Sequence, residues 1–191
     1  VNTFGGGTSL TEYELLTGNT TTFLPEGVPP YQTYYAEKMC GLATTMKAQG
    51  YTTIAMHPGG RSSWNRQNIY PMMQFNSYSS VEDWPYDTVR GLVSDQSNID
   101  RLINYFSSKP TGEKTFIFNV TIQNHGGYVG EYDDFKTDIY TTNLSKEYDD
   151  VNNYLTLVSM TDDSIKYMLD YFSEYDENTM IVMFGDHYPA L

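Results

Sequence analysis

The sequence is poor in cysteine, in histidine and in positive charge. Cys40 is its one cysteine, so no disulfide can form within the chain. That fits a reducing cytosol, and equally a bacterial surface protein that does without disulfides. No apolar run approaches the roughly 18 residues needed to cross a bilayer, and no secretory leader opens the chain. Only 11 Lys and Arg stand against 24 Asp and Glu, a net charge of −13. This balance excludes nucleic acid or an anionic membrane surface as a bulk electrostatic partner. It does not exclude a small anionic substrate, because a few local cations and a metal reverse the field in one pocket. The chain opens on Val1 rather than an initiator Met, so the expectation is a piece of a longer protein. What the sequence does have is 191 residues, 39% of them hydrophobic and 15% aromatic, enough to build the core of one domain.

Local patterns alternate between helix and strand. Thr8 reads as an N-cap for a helix over 8–16 that Gly18 stops. Residues 34–47 carry Met39, Leu42, Ala43 and Met46 at helical spacing, which places Cys40 in a core. "YTTIAMHP" reads as a strand ended by Pro58, and "SSWNRQNIYPMM" as a short helix. Residues 76–90 read as irregular. Ser94 caps an amphipathic helix with Ile99, Leu102, Ile103 and Phe106 on one face. "KTFIFNVTI" is the next strand, and 129–147 an acidic, Tyr-rich loop. A long helix then carries Leu155, Val158, Ile165, Met168, Leu169 and Phe172, and a last strand covers 179–184. This order predicts an α/β fold, an α/β/α sandwich with a mostly parallel sheet, in which ligands gather at the carboxyl ends of the strands.

The three histidines fall where that rule points. His57 ends the first expected strand, His125 ends the second, and His187 ends the third beside Asp186. One such histidine is most often simply hydrogen-bonded; three in equivalent places suggest metal ligands or acid/base groups. Near the start, Gly5-Gly6-Gly7 leads into the helix at Thr8. A helix N-terminus suits a phosphate, and a hydroxyl there becomes a nucleophile if a metal lowers its pKa. Taken alone, that stretch reads as a plain cap after a flexible lead. "HPGGRSSWNRQNIY" adds Arg61, Trp64 and Arg66. A guanidinium fork matches phosphate and an indole can wall a small polyol, while Arg61 reads as a surface residue.

Together, "GGGTSLTE", "HPGGRSSWNRQNIY", "NVTIQNHGGY" and "FGDHY", in this order, resemble the lipoteichoic acid synthase-like phosphoglycerol transferases of the alkaline phosphatase and sulfatase superfamily. The resemblance covers nearly the whole chain. It implies a Thr nucleophile, matched by Thr8 with Glu12 four residues on, and an Asp-His metal pair, matched by Asp186 and His187. It implies a substrate pocket matched by His57, Trp64, Arg66 and His125. The cation it implies is divalent, commonly Mn²⁺, with Mg²⁺ or Zn²⁺ as alternatives, held by Thr8, Asp186, His187 and a further Glu. That Glu belongs to a strand upstream of the nucleophile, and "VNTFGGG" cannot supply it. The expectation is thus a single catalytic domain over 1–191, incomplete at both ends. Sulfatase chemistry proper needs a C/S-x-P-x-R context, which neither "TSLTE" nor the segment around Cys40 provides.

The resemblance further implies attack by Thr8 on a phosphatidylglycerol-type head group, with Arg66 on a phosphoryl oxygen and His125 moving the proton. The phosphoglycerol group then passes to a glycerolphosphate acceptor, as in lipoteichoic acid synthesis. It implies a monomeric domain, a membrane-anchored parent protein and a place on the outer face of a bacterial cytoplasmic membrane. Other readings are a phosphoethanolamine or phosphocholine transferase, a phosphodiesterase, a non-catalytic surface-binding module, or a plain α/β domain with structural histidines.

Overall fold

The structure is a computed structural model that describes residues 6–25, 27–35, 37–143 and 145–191. In chain order the elements are α1 (Thr8–Thr17), α2 (Pro30–Thr33), α3 (Leu42–Ala48), β1 (Thr52–Met56), α4 (Arg66–Met72), β2 (Ser77–Ser79), β3 (Thr88–Val89), β4 (Leu92–Val93), α5 (Asp95–Ser108), β5 (Thr115–Asn119) and α6 (Asp149–Ser173). They fall into two compact units. One draws on 6–83, 110–120 and 183–190, the other on 84–109 and 121–182.

The first unit holds the main sheet, in the order β2-β1-β5, with both pairings parallel. The expected α/β fold with a parallel sheet is therefore present. β1 is central, which explains its continuous apolar and β-branched run rather than an alternating one. β2 was expected to be irregular, because "SYS" is short and polar. It is a strand because the backbone of 77–79 pairs with Ile54, Ala55 and Met56. Under the sheet, Tyr70 is fully buried, with the rings of Phe75, Tyr78, Tyr31 and Phe118 edge-on to it at 4.9–6.5 Å. Such pairs add about 0.5–1.5 kcal/mol each beyond burial.

Three sequence expectations fail around Gly41, at Thr8 and near the end of the chain. No helix runs through 37–41, and Cys40 is exposed. The chain is extended at Gly41, whose backbone lies so close to α1 that a Cβ there would be 2.0 Å from the Leu16 carbonyl oxygen. Helix can begin only after that approach, at Leu42. Thr8 is not an N-cap; Gly7 is, with φ 102°. Finally, 179–184 forms no strand, and Met180, Val182 and Met183 are exposed. A strand needs a hydrogen-bonded neighbour, and the described residues offer this run none.

In the second unit, Ser94 Oγ caps α5 as expected, accepting from the Ser97 amide at 3.1 Å. Ile99, Leu102 and Ile103 are buried, and α5 packs on α6. The buried stripe of α6 is largely polar, in contrast to the apolar face expected: Asn152, Asn153, Thr156, Leu157 and Ser164 are buried, while Val158 and Leu169 are exposed. The reason is the Tyr-rich loop. Asn153 donates to the Tyr128 carbonyl at 2.7 Å, Asn152 accepts from Thr141, and Thr156 accepts from the amides of Asp138 and Ile139. These side chains supply the hydrogen bonds that an irregular segment cannot make to itself. β3 and β4 form a hairpin through Arg90 and Gly91, both at positive φ, the backbone of a tight two-residue turn.

Candidate active site

Gly6 and Gly7 take φ of 130° and 102°, values open to glycine at little cost. Gly5 lies outside the described residues. The turn delivers Thr8 as the first residue of α1, and no side chain caps this end. Thr8 Oγ1 instead donates to Asp186 Oδ2 at 2.7 Å. One turn on, Thr11 Oγ1 donates to the Asp186 carbonyl oxygen at 2.6 Å. Residues three apart share a helix face, so α1 grips Asp186 with two hydroxyls. The other Asp186 oxygen, Oδ1, accepts from the His187 amide at 2.9 Å.

His187 is turned towards the same carboxylate, its Nε2 3.5 Å from Asp186 Oδ2. Its Nδ1 lies 2.9 Å from the Tyr188 carbonyl oxygen. A proton on Nδ1 satisfies that carbonyl and leaves the Nε2 lone pair for a metal, the usual arrangement behind a ligating imidazole. Hydroxyl, carboxylate and imidazole thus meet at one point. Among the described residues no group of three or more His, Cys, Asp and Glu forms. The three donors suit a divalent cation such as Mn²⁺ or Zn²⁺ as part of a coordination shell.

One turn along α1 from Thr8 lies Glu12, itself 2% exposed. Arg66 meets it with Nη2 at 2.5 Å and Nε at 3.1 Å, and Tyr70 donates its hydroxyl at 2.9 Å. Arg66 is 1% exposed, and its remaining contact is Nη1 on the Ser63 carbonyl oxygen. Burial works against its charge, yet the Glu12 carboxylate more than offsets this and holds Arg66 above its ordinary pKa. Burial, reinforced by Glu12, pushes Tyr31 and Tyr70 well above theirs. Burial likewise pushes Tyr78 up to about 12.

The other expected residues lie as follows. His57 directly follows β1 and is buried, its amide donating to the Ser79 carbonyl at 3.0 Å. A Cβ on Gly59 would stand 2.6 Å from His57 Nε2, so a larger residue there would push the imidazole aside. Trp64 and Asn65 both adopt left-handed backbone, φ 54° and 62°. Two such residues in sequence are strained and typical of functional turns. The strain leaves the indole 39% exposed. Arg61 pairs with Asp83 through both carboxylate oxygens. His125 is exposed and lies in the second unit, six residues beyond the end of β5. His57 is therefore the one histidine that sits directly at a strand end; the strand expected before His187 does not form.

The sulfatase family model matches residues 1–191. The chain belongs to the sulfatase family. A putative cyclic β-1,2-glucan modification protein of Rhizobium meliloti is 35% identical to it over 98% of the chain and 29% of that protein. The chain spans about a third of the length of the curated relatives it matches first. Among solved structures, the lipoteichoic acid synthase LtaP from Listeria monocytogenes superposes with a TM-score of 0.73 at 16% identity, over 91% of this chain and 41% of that one. The Streptococcus pyogenes phosphoglycerol transferase GacH, solved with sn-glycerol-1-phosphate, gives 0.72 at 22%, over 92% and 47%. At these identities the structures establish a shared fold.

Residues that the sequence did not single out also build the site. Thr11, three places after Thr8, carried the one usable signal, a second hydroxyl on the same face. Tyr70 gave none, because its pattern is that of a core aromatic.

Proposed function

We propose that the chain is the catalytic core of a metal-dependent phosphoglycerol transferase working through a phosphoglycerol-threonine intermediate. The observation that carries this reading is the Thr8–Asp186 hydrogen bond beside His187, with the Nδ1 of that histidine turned to a carbonyl. Thr8 Oγ1 gives up its hydroxyl proton to solvent and attacks phosphorus of a phosphatidylglycerol-type head group; it takes a proton back from solvent when it is displaced in the second half. The Oγ1–P bond forms as the bond to the diacylglycerol oxygen breaks, and that oxygen takes a proton. In the second half, an acceptor hydroxyl loses a proton and displaces Thr8. His125 is the group assigned to both proton movements. What a divalent cation supplies here, Mn²⁺ first with Mg²⁺ or Zn²⁺ as alternatives, is positive charge that lowers the pKa of the Thr8 hydroxyl and offsets charge on phosphate.

Asp186 and His187 hold that cation and orient Thr8, while Thr11 keeps Asp186 in place. The uncapped first turn of α1 adds amide groups suited to a phosphoryl oxygen. Trp64 and His57 hold the glycerol. Arg66 was expected on the phosphate; because its donors are committed to Glu12 and Ser63, we assign it to anchoring α1 instead. The parent protein is membrane-anchored, with this domain monomeric on the outer face of the bacterial cytoplasmic membrane. The acceptor is a glycerolphosphate chain in the first reading. A second reading, a sugar hydroxyl, is favoured by the 35%-identical relative named for modification of a cyclic glucan.

The test uses the full-length protein with phosphatidylglycerol vesicles and Mn²⁺. Wild type releases diacylglycerol and Thr8→Ala does not. Supplying glycerolphosphate or cyclic glucan then distinguishes the acceptors. Diacylglycerol release by Thr8→Ala at the wild-type rate would refute the assignment.

A further inference from the structure

The hairpin between β3 and β4 carries an arginine whose surroundings the reaction does not explain. Arg90 is 7% exposed. Its guanidinium reaches three backbone carbonyl oxygens within a five-residue stretch. Nη2 donates to Gln123 at 3.0 Å and to His125 at 2.9 Å, and Nη1 donates to Gly127 at 2.7 Å. The same group sits 5.5 Å from the ring centre of Tyr128, 5.7 Å from Tyr132 and 6.0 Å from Phe135. Among the described residues no carboxylate side chain pairs with the guanidinium. Asp134 accepts from the Arg90 and Gly91 amides and from Thr88 Oγ1, so it fixes the turn and leaves the cation to the loop.

A buried cation without a carboxylate is costly unless its donors are filled and its faces stacked; here both terminal nitrogens are filled while Nε has no hydrogen-bond partner among the described residues. Here carbonyl dipoles and aromatic quadrupoles supply the negative potential. Such an arrangement forces carbonyls of one short loop to converge on one point. Holding these carbonyls holds the backbone of the loop, and with it the directions of the Cα–Cβ bonds it carries. His125, itself exposed, is the titratable residue in the middle of that loop. On the opposite side, Gln123 Oε1 accepts from the Asp95 amide, and Asn124 Nδ2 donates to Thr161 Oγ1. The loop is pinned through Arg90 on one side and through α5 and α6 on the other.

We propose that Arg90 is a positioning residue for His125, setting the backbone from which its imidazole extends through the carbonyls of residues 123, 125 and 127. This rests on the role given to His125 above, and the experiment separates the two. In the full-length protein, Arg90→Met keeps the aliphatic stem and removes the fork, while Arg90→Lys keeps the charge with one donor site. Hydrogen–deuterium exchange over 121–128 should quicken about tenfold or more in Arg90→Met, with α5 and α6 unchanged, as expected for a local opening. Turnover should fall towards that of His125→Gln with KM changed less than about threefold, Arg90→Lys should lie between, and the double variant should be no worse than His125→Gln. Unchanged exchange over 121–128 in both variants would overturn the clamp. So would wild-type turnover in Arg90→Met alongside an inactive His125→Gln. If Arg90→Met does not fold, Arg90→Lys decides by the same two readouts. If His125→Gln itself turns over normally, the catalytic role of His125 falls, and exchange alone decides whether Arg90 holds the loop.

Discussion

Arg66→Met tests how α1, and with it Thr8, is held. The substitution roughly preserves the aliphatic volume and removes the cation from a site where Glu12 is 2% exposed. Glu12 then keeps one partner, the Tyr70 hydroxyl. Stripping one member from a buried pair costs about 3–5 kcal/mol, because the other charge stays buried and uncompensated. Domain stability is about 5–15 kcal/mol, so the loss is a large share of the total. With a urea dependence of about 2 kcal/mol per molar, the opening midpoint of α1 should drop by roughly 2 M. The assay is hydrogen exchange of the α1 peptide across a urea series, which reports this helix rather than the whole chain. Glu12→Gln should cost a comparable amount, leaving a cation without its carboxylate. The double variant should cost clearly less than the sum, since neither charge then remains alone. Additive losses, or a single-variant cost below about 1 kcal/mol, would refute the view that this pair anchors α1.

Asp186→Asn should weaken Mn²⁺ binding by about tenfold or more in calorimetry, with Thr11→Val giving a smaller loss by freeing the Asp186 backbone. Gly41→Ala should destabilise by about 2–3 kcal/mol in thermal melts, since its Cβ would meet the Leu16 carbonyl, which is backbone and cannot swing away. Burial raises the pKa of Asp95. The native state therefore binds more protons than the unfolded chain between the ordinary carboxylate range, near pH 4, and the raised value. Stability falls as pH rises through that window and then levels off. Asp95→Asn should flatten this slope; an unchanged slope would remove Asp95 as its source.

The parallel sheet was legible because β1 and β5 are strong strand formers with clear stops. The site was legible where chemistry and local pattern coincide: glycines before a hydroxyl at a helix start, and an Asp-His pair after an apolar run. What escaped has a common cause. Whether "SYS" is a strand is decided by a backbone neighbour 23 residues away, as Ile54 pairs with Ser77. The Asn and Thr stripe of α6 looks like a solvated face until the loop it serves is present. Arg66 reads as a phosphate ligand from its neighbours in sequence, yet Glu12, 54 residues back, claims its donors. The apolar run 179–184 shows the reverse case, a strand pattern that no described partner completes.

The Thr8–Asp186 contact joins residues 178 apart. Closing a loop of that size costs about 2.5 kcal/mol more than closing one of ten residues, by the logarithmic length dependence. During synthesis Thr8 emerges first and its carboxylate partner more than 170 residues later. Nothing local assembles the pair in the meantime. The pair therefore forms only once nearly all of this stretch has been translated, and a chain cut short before Asp186 leaves the Thr8 hydroxyl without this partner.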